Sequence, residues 1–137
     1  MCSYAIAPDA SYAASGNWNA TVEVWDVNNQ RLLHTFGNHR GEVKAVAFSP
    51  DGKTLASGAW NVVGSRYLGS DINLWDVNSG ALLWTRKFPN PDTAQRLVFS
   101  PDGRKLAIGT QEGNIILLDS ATGKTLQKLL DKVTVSA

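Results

Sequence analysis

The sequence of 137 residues has few of the groups that form disulfide bonds or bind highly charged ligands. Its one cysteine, Cys2, cannot form a disulfide within the chain, which fits a reducing compartment. Its 13 basic and 12 acidic residues are dispersed along the chain, leave a net charge of +1 and form no long run of like charges. We therefore expect no nucleic-acid partner and no membrane partner.

Long hydrophobic runs are absent as well. The longest continuous apolar segments hold only a few residues, as in Ile115–Leu118, and the sequence does not start with a basic segment followed by an apolar stretch. A transmembrane helix needs about 20 apolar residues and a signal peptide at least about seven. We predict neither, and the default expectation is a soluble cytoplasmic protein.

Motifs of catalysis and metal binding are missing too. The two histidines, His34 and His39, have no cysteine or glutamate cluster at ligand spacing, so a metal site is not expected. The sequence contains no Gly-x-Ser-x-Gly, no glycine-rich phosphate loop and no Asp-x-Asp-x-Asp-Gly calcium loop. We expect a protein that is not an enzyme and that holds no cofactor.

What the sequence does contain is one pattern written three times, in the segments Tyr4-Ala-Ile-Ala-Pro-Asp9, Ala45-Val-Ala-Phe-Ser-Pro-Asp51 and Leu97-Val-Phe-Ser-Pro-Asp102. The spacing from the proline of each segment to the last apolar residue of the third strand is 17 positions in two copies, from Pro8 to Trp25 and from Pro101 to Leu118. In the middle copy it is 25 positions, from Pro50 to Trp75. The middle copy therefore carries eight extra residues, which we assign to one loop. Repetition at a period of about 40 residues indicates an array of similar units.

Each copy is predicted to form four short antiparallel strands. In the middle copy the strands are rich in β-branched, aromatic and small residues, and they cover Val43 to Phe48, Thr54 to Gly58, Ile72 to Trp75 and Ala81 to Thr85. The Ser-Pro-Asp-Gly segments between them suit tight turns, because proline presets φ and glycine accepts a positive one. Apolar residues do not recur at helical spacing, so the fold class is all-β.

Four antiparallel strands repeated at this period resemble the blades of a WD-repeat (Trp-Asp repeat) β-propeller. The resemblance spans the whole chain and rests on the Ser-Pro-Asp-Gly turns and on Trp25-Asp26, Trp75-Asp76, the degenerate Leu118-Asp119, and Gly37-Asn38-His39 in place of the family's Gly-His pair. It implies three blades, at about 1–36, 37–87 and 88–130, with residues 131–137 starting a further blade strand.

The resemblance also implies that the chain is a partial propeller, because three blades leave two terminal faces uncovered. Propellers of this kind hold four to eight blades in a closed ring, and closure protects the edges. Two ways of completing the ring stay open. Either the chain forms a homo-oligomer, as in a dimer of three-bladed chains, or the missing sequence of a longer propeller supplies the other blades.

In the family a His, a Ser or Thr, a loop Asp or Asn and the Trp form a hydrogen-bonded cluster within a blade. The resemblance assigns this cluster to His39, Ser57 and Trp75 in the second blade, where Asp71 could only substitute for the displaced loop acid. The first copy offers Ser15, Asn19 and Trp25 without a His, and the third has Ile108 and Leu118. We assign a structural role to Trp25, Asp26, His39, Ser57, Trp75 and Asp76.

A docking surface is predicted on the loops between the second and third strands. Trp18 and Trp60 occupy equivalent places there, and the insertion brings Arg66 and Tyr67 to the same rim. Tryptophan, tyrosine and arginine dominate binding hot spots. We predict a partner-binding surface made by Trp18, Trp60, Arg66, Tyr67, His39 and Arg40. Alternatively, both tryptophans pack against an adjacent blade and the insertion covers an edge, and Trp84 on the outermost strand contacts either solvent or a partner.

The resemblance favours a non-catalytic scaffold that binds a protein or a peptide through these loops. A second interpretation is a sensor or regulatory propeller segment of a larger multidomain protein. A third is a quinone-dependent dehydrogenase, because the segment Asp119-Ser-Ala-Thr-Gly-Lys124 is similar to the repeat of quinoprotein propellers, whose cofactor is pyrroloquinoline quinone.

Overall fold

A computed structural model of the chain describes residues 3–37, 39–63, 66–89 and 93–129, without the side chains of residues 62, 63 and 67. Within these residues it contains twelve β-strands in three four-stranded antiparallel sheets and no helix. The all-β prediction of four-stranded antiparallel blades, three per chain, is therefore confirmed. Asn38 and the predicted strand at 131–137 lie outside the described residues.

Each sheet is a meander in which consecutive strands pair with one another. The first sheet has the strands β1 Ser3–Ile6, β2 Tyr12–Gly16, β3 Val22–Asp26 and β4 Arg31–Phe36. The second sheet has β5 Val43–Phe48, β6 Thr54–Val63, β7 Arg66–Asp76 and β8 Leu82–Pro89. The third sheet has β9 Ala94–Phe99, β10 Lys105–Thr110, β11 Ile115–Asp119 and β12 Thr125–Leu129.

The Ser-Pro-Asp-Gly turns form as the sequence predicts. In the second sheet the Ser49 hydroxyl donates to the Asp51 carboxylate at 2.6 Å, and the Gly52 N–H donates to the Ser49 carbonyl at 2.9 Å. Gly52 has a φ of +72° and its counterpart Gly103 one of +74°, a conformation that glycine adopts at no steric cost. These turns bring the first two strands of a sheet into register.

The three sheets pack face against face through two apolar cores. Successive side chains of a strand point to opposite faces, so the middle sheet buries one face against the first sheet and the other against the third. The first core contains Ala14, Val22, Val24, Phe36, Val43, Val46, Phe48, Leu55 and Trp75. The second contains Ala45, Ala56, Ile72, Leu74, Leu97, Leu106, Ile108, Ile116 and Leu118. Strand β5 lies beside β1 on one side and β9 on the other, so the first strands of the sheets are neighbours.

The insertion of the middle copy is not a loop, contrary to the prediction. Strands β6 and β7 continue into it as a ribbon whose last pairs are Val62 with Tyr67 and Val63 with Arg66. The reason is local, because β-branched and aromatic residues at this end favour a continued ladder. Gly69 has a φ of +117° and pairs with Asn61, next to the register shift between Asn61 and Val62.

Both end sheets present one partly apolar face that no described residue covers. On the first sheet Tyr4, Ile6 and Trp25 are exposed, and on the third sheet Val98, Ile115 and Leu129 are exposed. Their counterparts in the middle sheet, such as Trp75 and Ile72, are buried in the two cores. The end faces therefore have the composition of inter-sheet surfaces, although nothing in the described part of the chain packs on them.

Gly69 is predicted to tolerate no side chain. A Cβ at this position would overlap the carbonyl oxygen of Phe88 in the adjacent strand, and its backbone conformation is one that L-residues rarely adopt. We expect Gly69→Ala to lower the free energy of unfolding by about 2 kcal/mol or more, measured by denaturant titration. Gly37→Ala is the matched control, because a Cβ at Gly37 meets no atom within 4 Å. Equal stability of the two variants would contradict the strained position.

Candidate functional site

The second sheet contains a buried polar cluster that faces the first sheet. The Trp75 indole N–H donates to the Ser57 hydroxyl oxygen at 2.9 Å, and that oxygen lies 2.7 Å from His39 Nε2. The amide nitrogen of Asn73 also points at His39 Nε2, at 3.5 Å. Because the Asn73 amide N–H can only donate, we assign Nε2 as the acceptor and place the imidazole proton on Nδ1.

This cluster fixes the junction between the first and second sheets. The Phe36 ring of strand β4 stacks on the Trp75 ring at 4.0 Å between centroids with an interplanar angle of 2°. Trp75 and Ser57 are both buried, so their hydrogen bond is shielded from water. The indole thus joins a polar anchor within its own sheet to an apolar contact across the junction.

Asp71 does not complete the cluster among the described residues. Its carboxylate is buried, and its Oδ2 lies 3.8 Å from Nε of Arg40. The other oxygen, Oδ1, has no hydrogen-bond partner there, and neither does Nδ1 of His39. Asp71 therefore does not take the place of the displaced loop acid in the cluster. It lies instead close to the guanidinium group of Arg40.

Burial holds His39 in its neutral form. The side chain is 5% exposed, and burial lowers the pKa of His39 from 6.5 to about 4. Hydrogen bonds lower the pKa of the carboxylates in the turns below its ordinary value, so these groups titrate at a more acidic pH than His39. For Asp51 the main cause is the Ser49 hydroxyl, followed by the Lys53 N–H, and for Asp102 it is the Ser100 hydroxyl, followed by the Arg104 N–H.

The first and third sheets depart from this cluster in different ways. In the third sheet both counterparts, Ile108 and Leu118, are buried and apolar, so packing replaces the hydrogen bonds. In the first sheet Trp25 is 40% exposed on the open face. The aspartates that follow Trp25 and Trp75 end strands β3 and β7 and accept hydrogen bonds from the turns after them. Asp26 accepts from Asn29, and Asp76 accepts from the Asn78 and Ser79 N–H groups.

The loops of the candidate docking surface share one edge of the three sheets, which we call the loop rim. Backbone hydrogen bonds link its parts in sequence: Val43 N–H to Asn17, Trp60 N–H to Glu42, and Gln111 N–H to Thr93. The first two bonds hold the turn after β2 and the continuation of β6 to the start of β5, and the third holds the turn after β10 to the start of β9. The Ala94 N–H donates to the Ser70 hydroxyl at 2.7 Å and so joins the start of β9 to strand β7.

Trp18 and Trp60 occupy equivalent positions on the loop rim but have different surroundings. Trp18 lies in the turn between β2 and β3 and is 70% exposed. Trp60 lies in strand β6, is half-buried, and donates its indole N–H to the Ala94 carbonyl of the third sheet at 2.9 Å. The Lys44 ammonium lies 4.4 Å from the Trp60 ring centroid. Trp60 therefore packs against the adjacent sheet, whereas Trp18 faces solvent.

The remaining predicted contact residues divide in the same manner. Arg66 is exposed at the end of the ribbon, and the Arg40 side chain is half exposed above the buried Asp71. His39 is buried. Tyr67 pairs with Val62 through the backbone, and its side chain lies outside the described residues.

Sequence reasoning missed a repeated contact on the outer strands. His34 Nε2 lies 2.8 Å from the Val77 carbonyl of the next sheet, and Trp84 donates its indole N–H to the Ser120 carbonyl, also at 2.8 Å. Each ring lies over a glycine of the next sheet, Gly80 or Gly123. Trp84 thus contacts the third sheet of its own chain. The signal in the sequence is the constant spacing: His34 and Trp84 follow the aspartates of their own copies at one distance, and Gly80 and Gly123 follow theirs at another.

The segment that is similar to quinoprotein repeats forms the turn between β11 and β12. The Asp119 carboxylate accepts the Ala121 N–H at 2.9 Å, and Gly123 has a φ of +78° beneath the Trp84 ring. Turn geometry accounts for these residues. Within the described ranges, no three His, Cys, Asp or Glu side chains are grouped so as to hold a metal ion. Nor does this part of the chain contain a helix with the length and hydrophobicity of a membrane span.

Comparison with known families gives two matches. Residues 30–76 match the family described as WD domain, G-beta repeat. Residues 70–136 match the anaphase-promoting complex subunit 4 WD40 domain. The two matches overlap in the second sheet and together reach from the last strand of the first sheet to the end of the third.

Several curated proteins are similar to the chain. Small ribosomal subunit protein RACK1y of Oryza sativa is 32% identical over 92% of the chain and 34% of its own length. Eukaryotic translation initiation factor 3 subunit I of Lodderomyces elongisporus is 30% identical over 89% of the chain and 37% of its length. A periodic tryptophan protein 2 homolog of Schizosaccharomyces pombe is 26% identical over 88% of the chain and 13% of its length. The chain spans little more than a third, or less, of each relative.

Ser57→Ala is expected to destabilise the second sheet. It leaves the Trp75 N–H and His39 Nε2 without their shared partner in a buried site, which costs about 1–3 kcal/mol in the free energy of unfolding. Ser15→Ala, at the equivalent position on the open face of the first sheet, is the control and should change stability by less than about 0.5 kcal/mol. Equal effects in denaturant titrations would show that the cluster contributes nothing.

Stability is predicted to fall between pH 6.5 and pH 4 because of His39. The unfolded chain binds a proton on this side chain near pH 6.5, whereas the folded chain binds it only near pH 4. Protons therefore favour unfolding in this window, by up to roughly 3 kcal/mol at its acid end. His39→Gln should flatten the dependence above pH 4 but not the loss at lower pH that the turn carboxylates cause. An unchanged pH profile in His39→Gln would refute the assignment.

Proposed function

Because the chain belongs to the WD40 repeat family, we propose that it acts as a non-catalytic scaffold that binds a protein or peptide on its loop rim. The observation that carries this proposal is the solvent exposure of Trp18 in a short turn. A large aromatic side chain that is mostly exposed contributes little to stability, and exposed tryptophan is a typical binding anchor. The named relatives from ribosomal and translation-initiation assemblies favour a cytoplasmic location, as the single cysteine does.

The loop rim is suited to rigid display of its side chains. The hydrogen bond from Val43 to Asn17 holds the Trp18 turn against the start of β5, and the bond from Trp60 to Glu42 holds the next loop against β6. The indole of Trp60 ties this region to the third sheet. A surface fixed in this manner loses little conformational entropy when a partner binds, and this preserves affinity.

The charges of the loop rim favour a partner that carries carboxylates. Arg66 is exposed, and Arg40 is half exposed with only a 3.8 Å approach to Asp71. The nearby Glu42 carboxylate is paired with Lys44 at 3.0 Å and is therefore partly neutralised. We propose direct contacts with the partner for Trp18, Arg40 and Arg66.

The other predicted site residues take supporting positions in this proposal. Trp60 and His39 lie beneath the surface and hold its loops, since both have partners within the sheets. Tyr67 stays a predicted contact. The scaffold is one part of a closed propeller, and the remaining blades come from a second copy of the chain or from the remainder of a longer propeller, so the partners of the whole protein are also part of the proposal.

Peptide selection on the immobilised chain tests the docking surface. Peptides enriched from a random phage-displayed library are synthesised and titrated against the chain and its variants. We expect Trp18→Ala to weaken binding by about thirtyfold or more, because loss of a hot spot costs at least about 2 kcal/mol. Arg66→Ala should weaken the binding of the peptides that carry carboxylates.

Leu83→Ala is the matched control, because Leu83 is a large exposed apolar residue on an outer strand away from the loop rim. It should leave peptide affinity unchanged. Trp18→Ala should also leave the free energy of unfolding within about 0.5 kcal/mol, as expected for an exposed side chain. Peptides that bind both variants as well as the parent chain would place the docking surface elsewhere.

A further inference from the structure

The two internal junctions between sheets share a contact on their outer strands, which we call the ring-on-glycine junction. It consists of His34 on Gly80 between the first and second sheets, and of Trp84 on Gly123 between the second and third. A Cβ at either glycine would lie 2.9 Å or 2.8 Å from the ring above it. Each ring can approach so closely only because the residue beneath it has no side chain.

Both members of this junction are replaced at the open ends of the chain. In each sheet the ring residue pairs with the strand position just before a register shift: His34 with Val24 and Trp84 with Leu74. The same position in the third sheet pairs Leu117 with Gln127, so a glutamine stands where the ring is expected. In the turn of the first sheet that corresponds to Gly80 and Gly123 stands Gln30, with a φ of +54°.

The paired replacement restricts what the first sheet can accept. Gln30 carries a Cβ where Gly80 and Gly123 have none, and a Cβ at either glycine would lie less than 3 Å from the ring above it. We infer that an outer strand with a ring at this position does not fit on the first sheet. The third sheet presents Gln127 instead, a flexible side chain that can move aside and donate a hydrogen bond. The third sheet, which lacks the ring, therefore fits the first sheet, which lacks the glycine.

The rest of the two open faces is complementary in chemistry. Leu129 stands at the register position that Phe36 holds in the first sheet, and Phe36 stacks on Trp75, whose counterpart is the exposed Trp25. Leu129, which is 42% exposed, and Trp25 are not covered by an apolar neighbour within the described residues. On the same faces the third sheet carries Arg96 opposite Gly109, and the first sheet carries Glu23 opposite Ser15.

We propose that the third sheet of one copy packs against the first sheet of a second copy, and that two copies close a ring of six sheets. Two equal head-to-tail contacts satisfy both open faces at once, and six blades lie within the range in which propellers close. This inference deepens the ring completion proposed above, and it does not depend on the loop-rim partner.

Light scattering on the 137-residue chain tests the assembly. We expect twice the single-chain mass of 14.8 kDa at micromolar concentration. Leu129→Asp and Ile115→Asp place a charge on the proposed contact and should weaken association by about tenfold or more. Both side chains are exposed in a single copy, so circular dichroism should still show folded β-sheet. Trp18→Ala removes a larger exposed apolar side chain from the loop rim and should leave the mass unchanged.

Exchange at the ring-on-glycine position tests which faces meet. Gln127→Trp alone should weaken association about tenfold or more, because the new ring meets the Cβ of Gln30 on the other copy. Gln30→Gly alone should have little effect, and the double variant should regain at least the parent affinity. This sign reversal is specific to contact between these two positions.

Three outcomes would overturn the proposal. A mass of 14.8 kDa at all concentrations up to tens of micromolar shows that no second copy covers the faces. A dimer in which Gln30→Gly and Gln127→Trp act additively is formed through another surface. A chain that stays single but is captured by further blades of a longer propeller assigns the faces to that remainder. Loss of peptide binding in Trp18→Ala with an intact dimer, or the reverse, separates this proposal from the loop-rim scaffold.

Discussion

Burial of both faces of every sheet is the constraint on which this structure depends. A four-stranded sheet with apolar residues on both faces cannot satisfy them within itself, because each side chain must find its cover on a neighbouring sheet. The middle sheet does so twice, with Leu55 and Trp75 against the first sheet and Ile72 and Leu74 against the third. The end sheets do so once, and this leaves the chain with two apolar faces of known composition.

Each junction combines apolar packing with a few directional contacts, and the balance differs between them. Between the first and second sheets, the hydrogen bond of Trp75 to Ser57 orients the indole under the Phe36 ring. At the second junction Ile108 and Leu118 replace that pair, so the cost of burying polar groups disappears together with their directionality. The outer rings of His34 and Trp84 supply the orientation that both junctions share.

This division separates two surfaces with different tasks. The sheet faces are largely apolar, and they suit repetition of the same packing. The loop rim lies at one edge of the sheets and can vary without disturbing the cores, so an exposed residue such as Trp18 is free to serve a partner. Substitutions on one surface should therefore leave the other intact, as with Leu129 and Trp18.

The sequence by itself determined the three repeated units, their four strands and their turns, because β-branched, aromatic and small residues in short runs and the Ser-Pro-Asp-Gly segments between them are local signals. Only the tertiary structure decided that the insertion extends a ribbon, and that Asp71 lies near Arg40 without a hydrogen bond to His39. It also distinguished Trp18 from Trp60, which the spacing makes equivalent. Their fates differ because strand β6 continues past Trp60 beside Ala94 of the next sheet, whereas the chain turns back at Trp18, and contacts between sheets are not written in any local pattern.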